Sequence, residues 1–123
     1  MIHGACLCGA VRFSGRLRSP DVIACHCSQC RKWSGHVWAS FRLHDPRIEG
    51  PVRWFQSSDQ AERGFCPTCG SSLFWRMRGR KAIAVSAGAV SNPTRLRLAE
   101  HIYVADKGDY YDITDTLPQR PGD

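Results

Sequence analysis

Cys6-Leu7-Cys8-Gly9-Ala10-Val11-Arg12-Phe13-Ser14-Gly15-Arg16-Leu17 carries both features that set the fold. Val11, Phe13, Gly15 and Leu17 alternate with Arg12, Ser14, Arg16 and Arg18. A period of two is that of an extended strand with one face on a core and the other in water. Just upstream, Cys6 and Cys8 stand two residues apart, so an extended backbone sends both thiols to one side. Both signals recur along the chain. Val37, Ala39, Phe41 and Leu43 alternate with Trp38, Ser40 and Arg42 in a second strand, expected to end at Asp45-Pro46. Val52 to Gln56 reads as a third. Ser71 to Arg78 reads as a fourth, with Leu73, Trp75 and Met77 on one side. Lys81 to Ala87 is its expected hairpin partner across the tight Arg78-Gly79-Arg80 turn. Leu96, Leu98, Ile102 and Val104 share a parity, broken by Glu100, and mark a strand near the end. Only Ser28 to Ser34 reads as helix, with Ser28 as N-cap and Gly35 as its stop. Many short strands with regular turn signals predict a mainly β fold with one short helix.

A chain of 123 residues fits one domain. That domain is expected to span 1–123, with Thr116 to Asp123, and above all 118–123, as a loose tail. Apolar residues at 42% and charged residues at 23% exclude wholesale disorder. The longest mostly apolar run, Ala82 to Val90, falls far short of the roughly 20 residues of a membrane span. The opening MIHGACLCGA has no basic stretch followed by an apolar one, so no secretory signal is expected and the cytoplasm is the expected compartment. The net charge is +6, and the acidic residues concentrate beyond residue 100. A basic body suits small anions or nucleic acid, although a solvated Arg-rich surface accounts for the charge by itself.

Seven cysteines are present. A disulfide framework prefers an even count in a secreted chain, so clustered thiols here point to metal. Cys66-Pro67-Thr68-Cys69-Gly70 has the form of a zinc knuckle, with Gly70 letting the backbone curl beneath two sulfurs. Joined to Cys6 and Cys8, it supplies four thiolates, a closed and therefore structural zinc site. Separate CxC and CxxC redox pairs are the alternative, but redox CxxC pairs normally open a helix in a βαβ context.

Cys25-His26-Cys27-Ser28-Gln29-Cys30 supplies the other three thiols. Three protein ligands leave zinc's fourth position open, the mark of a catalytic site. A histidine could close it: His36 lies six residues past Cys30, and His3, His44 or His101 would reach from afar. His26, between two ligands, is read as a neighbour of the site or a surface residue, not as a base. Zn²⁺ with three thiolates carries a net −1 and acidifies water weakly, so hydrolysis is not the first expectation. A soft, sulfur-rich centre suits an incoming thiol. A free thiol with a pKa near 8.5 is only about 3% thiolate at neutral pH. Coordination would make it almost wholly thiolate, a gain of about 30-fold, or roughly 2 kcal/mol.

The segments Gly4 to Phe13 (GACLCGAVRF), Cys25 to Gly35 (CHCSQCRKWSG) and Phe65 to Leu73 (FCPTCGSSL) resemble the glutathione-dependent formaldehyde-activating enzyme family. So do His101 to Lys107 (HIYVADK) and Asp115-Thr116-Leu117-Pro118. The resemblance implies a β-tent of short antiparallel strands. It implies structural zinc on Cys6, Cys8, Cys66 and Cys69 and catalytic zinc on Cys25, Cys27 and Cys30. It also implies a carbon–sulfur lyase that joins glutathione and formaldehyde as S-hydroxymethylglutathione. The implied partners are a glutathione-like thiol and a small aldehyde, with no membrane. Arg31, Lys32 and the start of the short helix are candidates to hold the thiol's carboxylates. Two other readings stand beside this one. One is a non-catalytic binding module with two structural zincs, since fold does not fix function. The other is nucleic-acid binding through the basic hairpin Arg76 to Lys81 (RMRGRK) beside Phe74 and Trp75, for which a solvated hairpin tip backed by core aromatics is the plainer account.

Overall fold

The structure is a computed structural model and describes residues 1–123. Strands β1 (Ile2–Ala5), β2 (Arg12–Arg16) and β3 (Asp21–Cys25) precede the one α-helix, α1 (Ser28–Ser34). Strands β4 (Trp38–Glu49), β5 (Arg53–Gln56), β6 (Ala61–Phe65), β7 (Ser72–Met77), β8 (Ile83–Ser86) and β9 (Arg97–Ile102) follow. The chain is therefore mainly β with one short helix, as its alternation implies. Neighbouring strands run β1-β2-β4-β8-β7-β6-β5, with β3 on β4 and β9 on β3. All pairs are antiparallel except β3 with β9, where Ile23 lies opposite Glu100 and Cys25 opposite Ile102 in a parallel pair. No hairpin joins those two strands, so nothing local forces them antiparallel.

β4 does not end at Asp45-Pro46 as the sequence suggested. It passes through them, with Asp45 at a left-handed φ of 49°. Its pairing to β2 steps from Arg47 opposite Ser14 to His44 opposite Arg16, so β4 carries one extra residue. That is a β-bulge, which bends the strand, and a bulge is one of the few places where a sheet accepts a proline without an N–H. Before the bend β4 pairs with β3 and β8; beyond it, with β2.

Alternation along these strands divides the protein's interior. Phe41 and Leu43 of β4, Ile83 and Val85 of β8, Phe13 of β2 and Phe74 of β7 form the main core. Phe13 and Phe74 meet edge to face with centroids 5.6 Å apart, a favoured aromatic geometry. Buried Cys6 and Cys66 belong to this core. The opposite parity, Trp38, Ser40 and Arg42 with Ala84 and Trp75, is not a wet face: it floors a cavity. Leu73 was expected to share a side with Trp75 and Met77, but it packs in the main core while the other two line the cavity. The β6–β7 register slips next to Gly64, which breaks the strict period there.

Two further expectations are corrected at the ends of elements. The N-cap of α1 is Cys27, not Ser28: the Cys27 sulfur accepts the Cys30 N–H at 3.3 Å. Gly35 ends the helix in the left-handed region, φ 96°, as read. The last residues are not a loose tail. The amides of His101, Tyr103 and Val104 donate to the carbonyls of Pro118, Gly122 and Arg120, and Arg120 N–H donates to the His101 carbonyl. The acidic Glu100 adds an ion pair to Arg120 at 3.1 Å. The C-terminal edge of β9 offers unpaired backbone groups, and the tail satisfies them.

Candidate functional site

Both cysteine groups read from the spacing come together. The ligand atoms of Cys6, Cys8, Cys66 and Cys69 lie within 4.8 Å of one another, and so do those of Cys25, Cys27 and Cys30. A tetrahedron of Zn–S bonds near 2.3 Å requires sulfurs roughly 3.8 Å apart. Cys6 and Cys8 are 3.6 Å apart, and Cys8 and Cys66 are 3.8 Å apart. These distances and an all-thiol donor set fit zinc.

The four-cysteine group is built from two matching turns. Gly9 and Gly70 follow their cysteine pairs with φ of 81° and 80°, a conformation that glycine adopts without strain. The Gly9 N–H returns to the Cys6 carbonyl and the Gly70 N–H to the Cys66 carbonyl. Val11 N–H donates to the Cys6 sulfur at 3.3 Å. The Ser71 hydroxyl, helped by backbone N–H groups, holds the Cys69 thiol down at about 5. Thiolates stabilised this way are ready metal ligands.

The three-cysteine group sits elsewhere, at one end of a cavity of about 560 Å³. Cys25 ends β3, Cys27 caps α1 and Cys30 lies in its first turn. Cys25 and Cys30 pack with Trp38 and Ala84 in a small cluster separate from the main core. Hydrogen bonds from Cys25 and Cys30 drive the Cys27 thiol far below its ordinary range, while Cys25 is driven up by its own bonds to Cys27 and Cys30. Cavity space exists because small residues, Ser40 and Ala84, occupy the centre of a floor otherwise set with Trp38, Trp75 and Met77.

No histidine joins this group. His36 Nδ1 is bonded to Tyr110 Oη at 2.7 Å, and His3 and His44 lie on the β1–β2–β4 side. His101 and His26 are buried and bonded to each other, Nδ1 to Nε2, at 2.8 Å. One tautomeric arrangement satisfies the whole chain. Tyr111 O–H donates to His26 Nδ1 at 2.6 Å, His26 Nε2–H to His101 Nδ1, and His101 Nε2–H to the Asp115 carboxylate at 3.0 Å. Burial, then the neighbouring His101, lowers the His26 pKa and so disfavours a charged ring. His26 thus points away from the cavity and pins the backbone between two of the sulfurs.

Arg63 is the residue the sequence reading missed. It stands on β6, opposite Trp75, and is 5% exposed. Its Nη1 lies 3.5 Å from the Cys30 sulfur and its Nη2 3.2 Å from Gln29 Oε1. The available signal was a lone arginine in the short Ala61–Phe65 strand, which lacks clear alternation. The earlier anion-binding candidates lie elsewhere. Arg31 Nη1 donates to the carbonyls of His26 and Asp106 at 3.2 and 2.8 Å. Neither Arg31 nor Lys32 lines the cavity, whereas Arg42, Arg63 and Arg120 do. In the basic hairpin, Arg76 stacks 3.5 Å over the Trp54 ring and pairs with Glu62 at 3.1 Å.

The family model described as glutathione-dependent formaldehyde-activating enzyme matches residues 1–106. A Schizosaccharomyces pombe protein named as an uncharacterized lyase is 28% identical over 117 residues, covering 92% of this chain and 85% of the relative. A crystal structure of a Rhodobacter sphaeroides protein superposes with a TM-score of 0.62 at 25% identity, over 96% of this chain and 99% of that one. No helix is long and apolar enough to cross a membrane.

Proposed function

The chain belongs to the glutathione-dependent formaldehyde-activating enzyme family, and from that premise we propose that it is a carbon–sulfur lyase joining a thiol, glutathione in the first instance, to formaldehyde or another small aldehyde. The observation that carries this reading is the sulfur tripod at the end of a large cavity with no fourth side chain among its ligands. Cys25, Cys27 and Cys30 would hold the catalytic zinc, and Cys6, Cys8, Cys66 and Cys69 the structural one. Zinc held by three thiolates supplies a soft fourth position at which a thiol is kept as its thiolate.

The rest of the chemistry falls to the chain. Trp38, Trp75 and Met77 give the cavity beside the tripod its apolar wall. The thiol's proton leaves to solvent on binding. Its sulfur then bonds to the carbonyl carbon, the C=O π pair moves onto oxygen, and water protonates that oxygen. Holding both reactants in one cavity supplies the main advantage, since the uncatalysed addition is limited by encounter and thiolate fraction.

Trp38, Ser40 and Arg42 follow one another on the cavity face of β4, so Arg42 stands about 13 Å along the strand from Trp38 beside the tripod. Arg42 forms no ion pair with this chain and is the carboxylate anchor we propose in place of Arg31 and Lys32. A thiol of tripeptide length, roughly 10 Å extended, spans that interval with the arginine side chain reaching inward. The test is exchange spectroscopy by NMR on a mixture of glutathione and formaldehyde. Zinc-loaded protein should speed exchange with the hydroxymethyl adduct, and Cys27→Ser should abolish the effect. Equal exchange rates with and without wild-type protein would refute the reading.

A further inference from the structure

Arg63 presents an electrostatic problem that the fold alone does not solve. A guanidinium that is 5% exposed has left most of its hydration, and a buried charge is costly unless an opposite charge compensates it. Arg63 belongs to no carboxylate pair. The acid beside it in sequence, Glu62, is taken by Arg76; of the two acids lining the cavity, Glu100 is taken by Arg120 and Asp123 makes no ion pair with Arg63. Its Nε is buried with no hydrogen-bond partner. What faces it instead is sulfur: Nη1 is 3.5 Å from Cys30 Sγ. The ring of Trp33, 5.1 Å from the guanidinium carbon, and the Gln29 side-chain oxygen fix its plane. A residue held this rigidly, against a cluster of thiols, is placed to act on charge at that cluster.

We propose that Arg63 is the buried counter-charge that allows the three-sulfur centre to take an anionic ligand at its fourth position. The inference rests on the reading of Cys25, Cys27 and Cys30 as an open metal site. Three thiolates and a divalent ion leave the centre at −1, and an incoming thiolate takes it to −2. In a site walled by tryptophan that second negative charge is unfavourable in proportion to its burial. The Arg63 cation, 3.5 Å from the Cys30 sulfur, offsets it without being a ligand itself, because a guanidinium offers donors and no lone pair to a metal. Arg63 is thus a positioning residue that selects anionic over neutral ligands.

The cobalt(II)-loaded full chain allows this to be read without turnover. Ligand-field spectra of wild type, Arg63→Met, Arg63→Gln and Arg63→Lys are titrated with thiocyanate, with neutral imidazole and with glutathione. Both neutral variants should bind thiocyanate and glutathione roughly 10- to 100-fold more weakly, the size of a lost charge-assisted contact. Their imidazole affinity should stay within about twofold of wild type, and Arg63→Lys should recover most of the anion affinity. A merely structural role would weaken all three probes together, and that result overturns the proposal. So does unchanged thiocyanate affinity in whichever neutral variant retains two metals per chain. Wild-type protein that takes thiocyanate but ignores glutathione would sink the thiol reading while leaving Arg63 to be judged on thiocyanate. Wild type that takes neither would overturn both.

Discussion

Replacing Cys8 by serine isolates what the four-cysteine group contributes to stability. Cys8 is exposed, so exchanging its sulfur for oxygen disturbs no packing. It does remove one of the four ligands, and once the weakened site releases its metal, the link from the first strand pair to the β6–β7 turn, 58 residues away at Cys66, is lost. Closing a loop of that length costs the unfolded chain about 4 kcal/mol of entropy at 25 °C, by the cross-link relation used for disulfides. In a domain of this size each kcal/mol moves the melting point by about 4 °C, so loss of the staple lowers Tm by about 15 °C. The three-cysteine group closes no comparable loop, since Cys25, Cys27 and Cys30 lie within one turn and its approach. Cys27→Ser also keeps a good N-cap for α1. It should therefore lose its metal at a cost of only a few degrees. Thermal melts followed by circular dichroism, with metal per chain measured on the same samples, separate the two. If Cys8→Ser melts within about 3 °C of wild type, or Cys27→Ser falls as far as Cys8→Ser, the division into structural and functional centres is wrong.

Arg42→Ala should raise KM for glutathione about tenfold with kcat unchanged, and leave KM for 2-mercaptoethanol alone, because only the former carries carboxylates; steady-state kinetics with both thiols decide it. Ending the chain after Asp115 removes the tail's backbone bonds to β9 and the Arg120–Glu100 pair, and urea titration should show a loss of about 2–4 kcal/mol. Gly4→Ala would drive a Cβ into Phe13 Cζ and to 2.6 Å from the Ala89 carbonyl oxygen. Because one of those neighbours is backbone, overpacking should cost about 1–3 kcal/mol in the same titration.

The sequence disclosed the parts of this protein that depend on local chemistry. Ligand spacing alone divided the cysteines into four and three, because side-chain direction in a strand and curvature in a glycine turn are local properties. The helix bounds were legible for the same reason. What alternation could not show was what the polar-looking face of β4 meets. Trp38, Ser40 and Arg42 read as a solvent face, yet they line one cavity together with the start of α1 and residues of β6 and β7. Glu100 broke the parity of the last strand for a related reason: it faces the cavity and pairs with Arg120 of the returning tail. Arg63 lay on a strand too short and irregular for periodicity to register. The His26–His101–Asp115 chain joins residues 75 and 14 positions apart, and no single-sequence pattern announces it.

Cadmium-113 NMR of the fully loaded chain tests the open corner most directly. Two resonances are expected, one in the range of four sulfur ligands and one displaced toward three sulfurs and a lighter donor. On adding glutathione the second should move into the four-sulfur range while the first stays still. A second resonance that already reports four protein ligands, or one that does not respond to the thiol, would contradict the account.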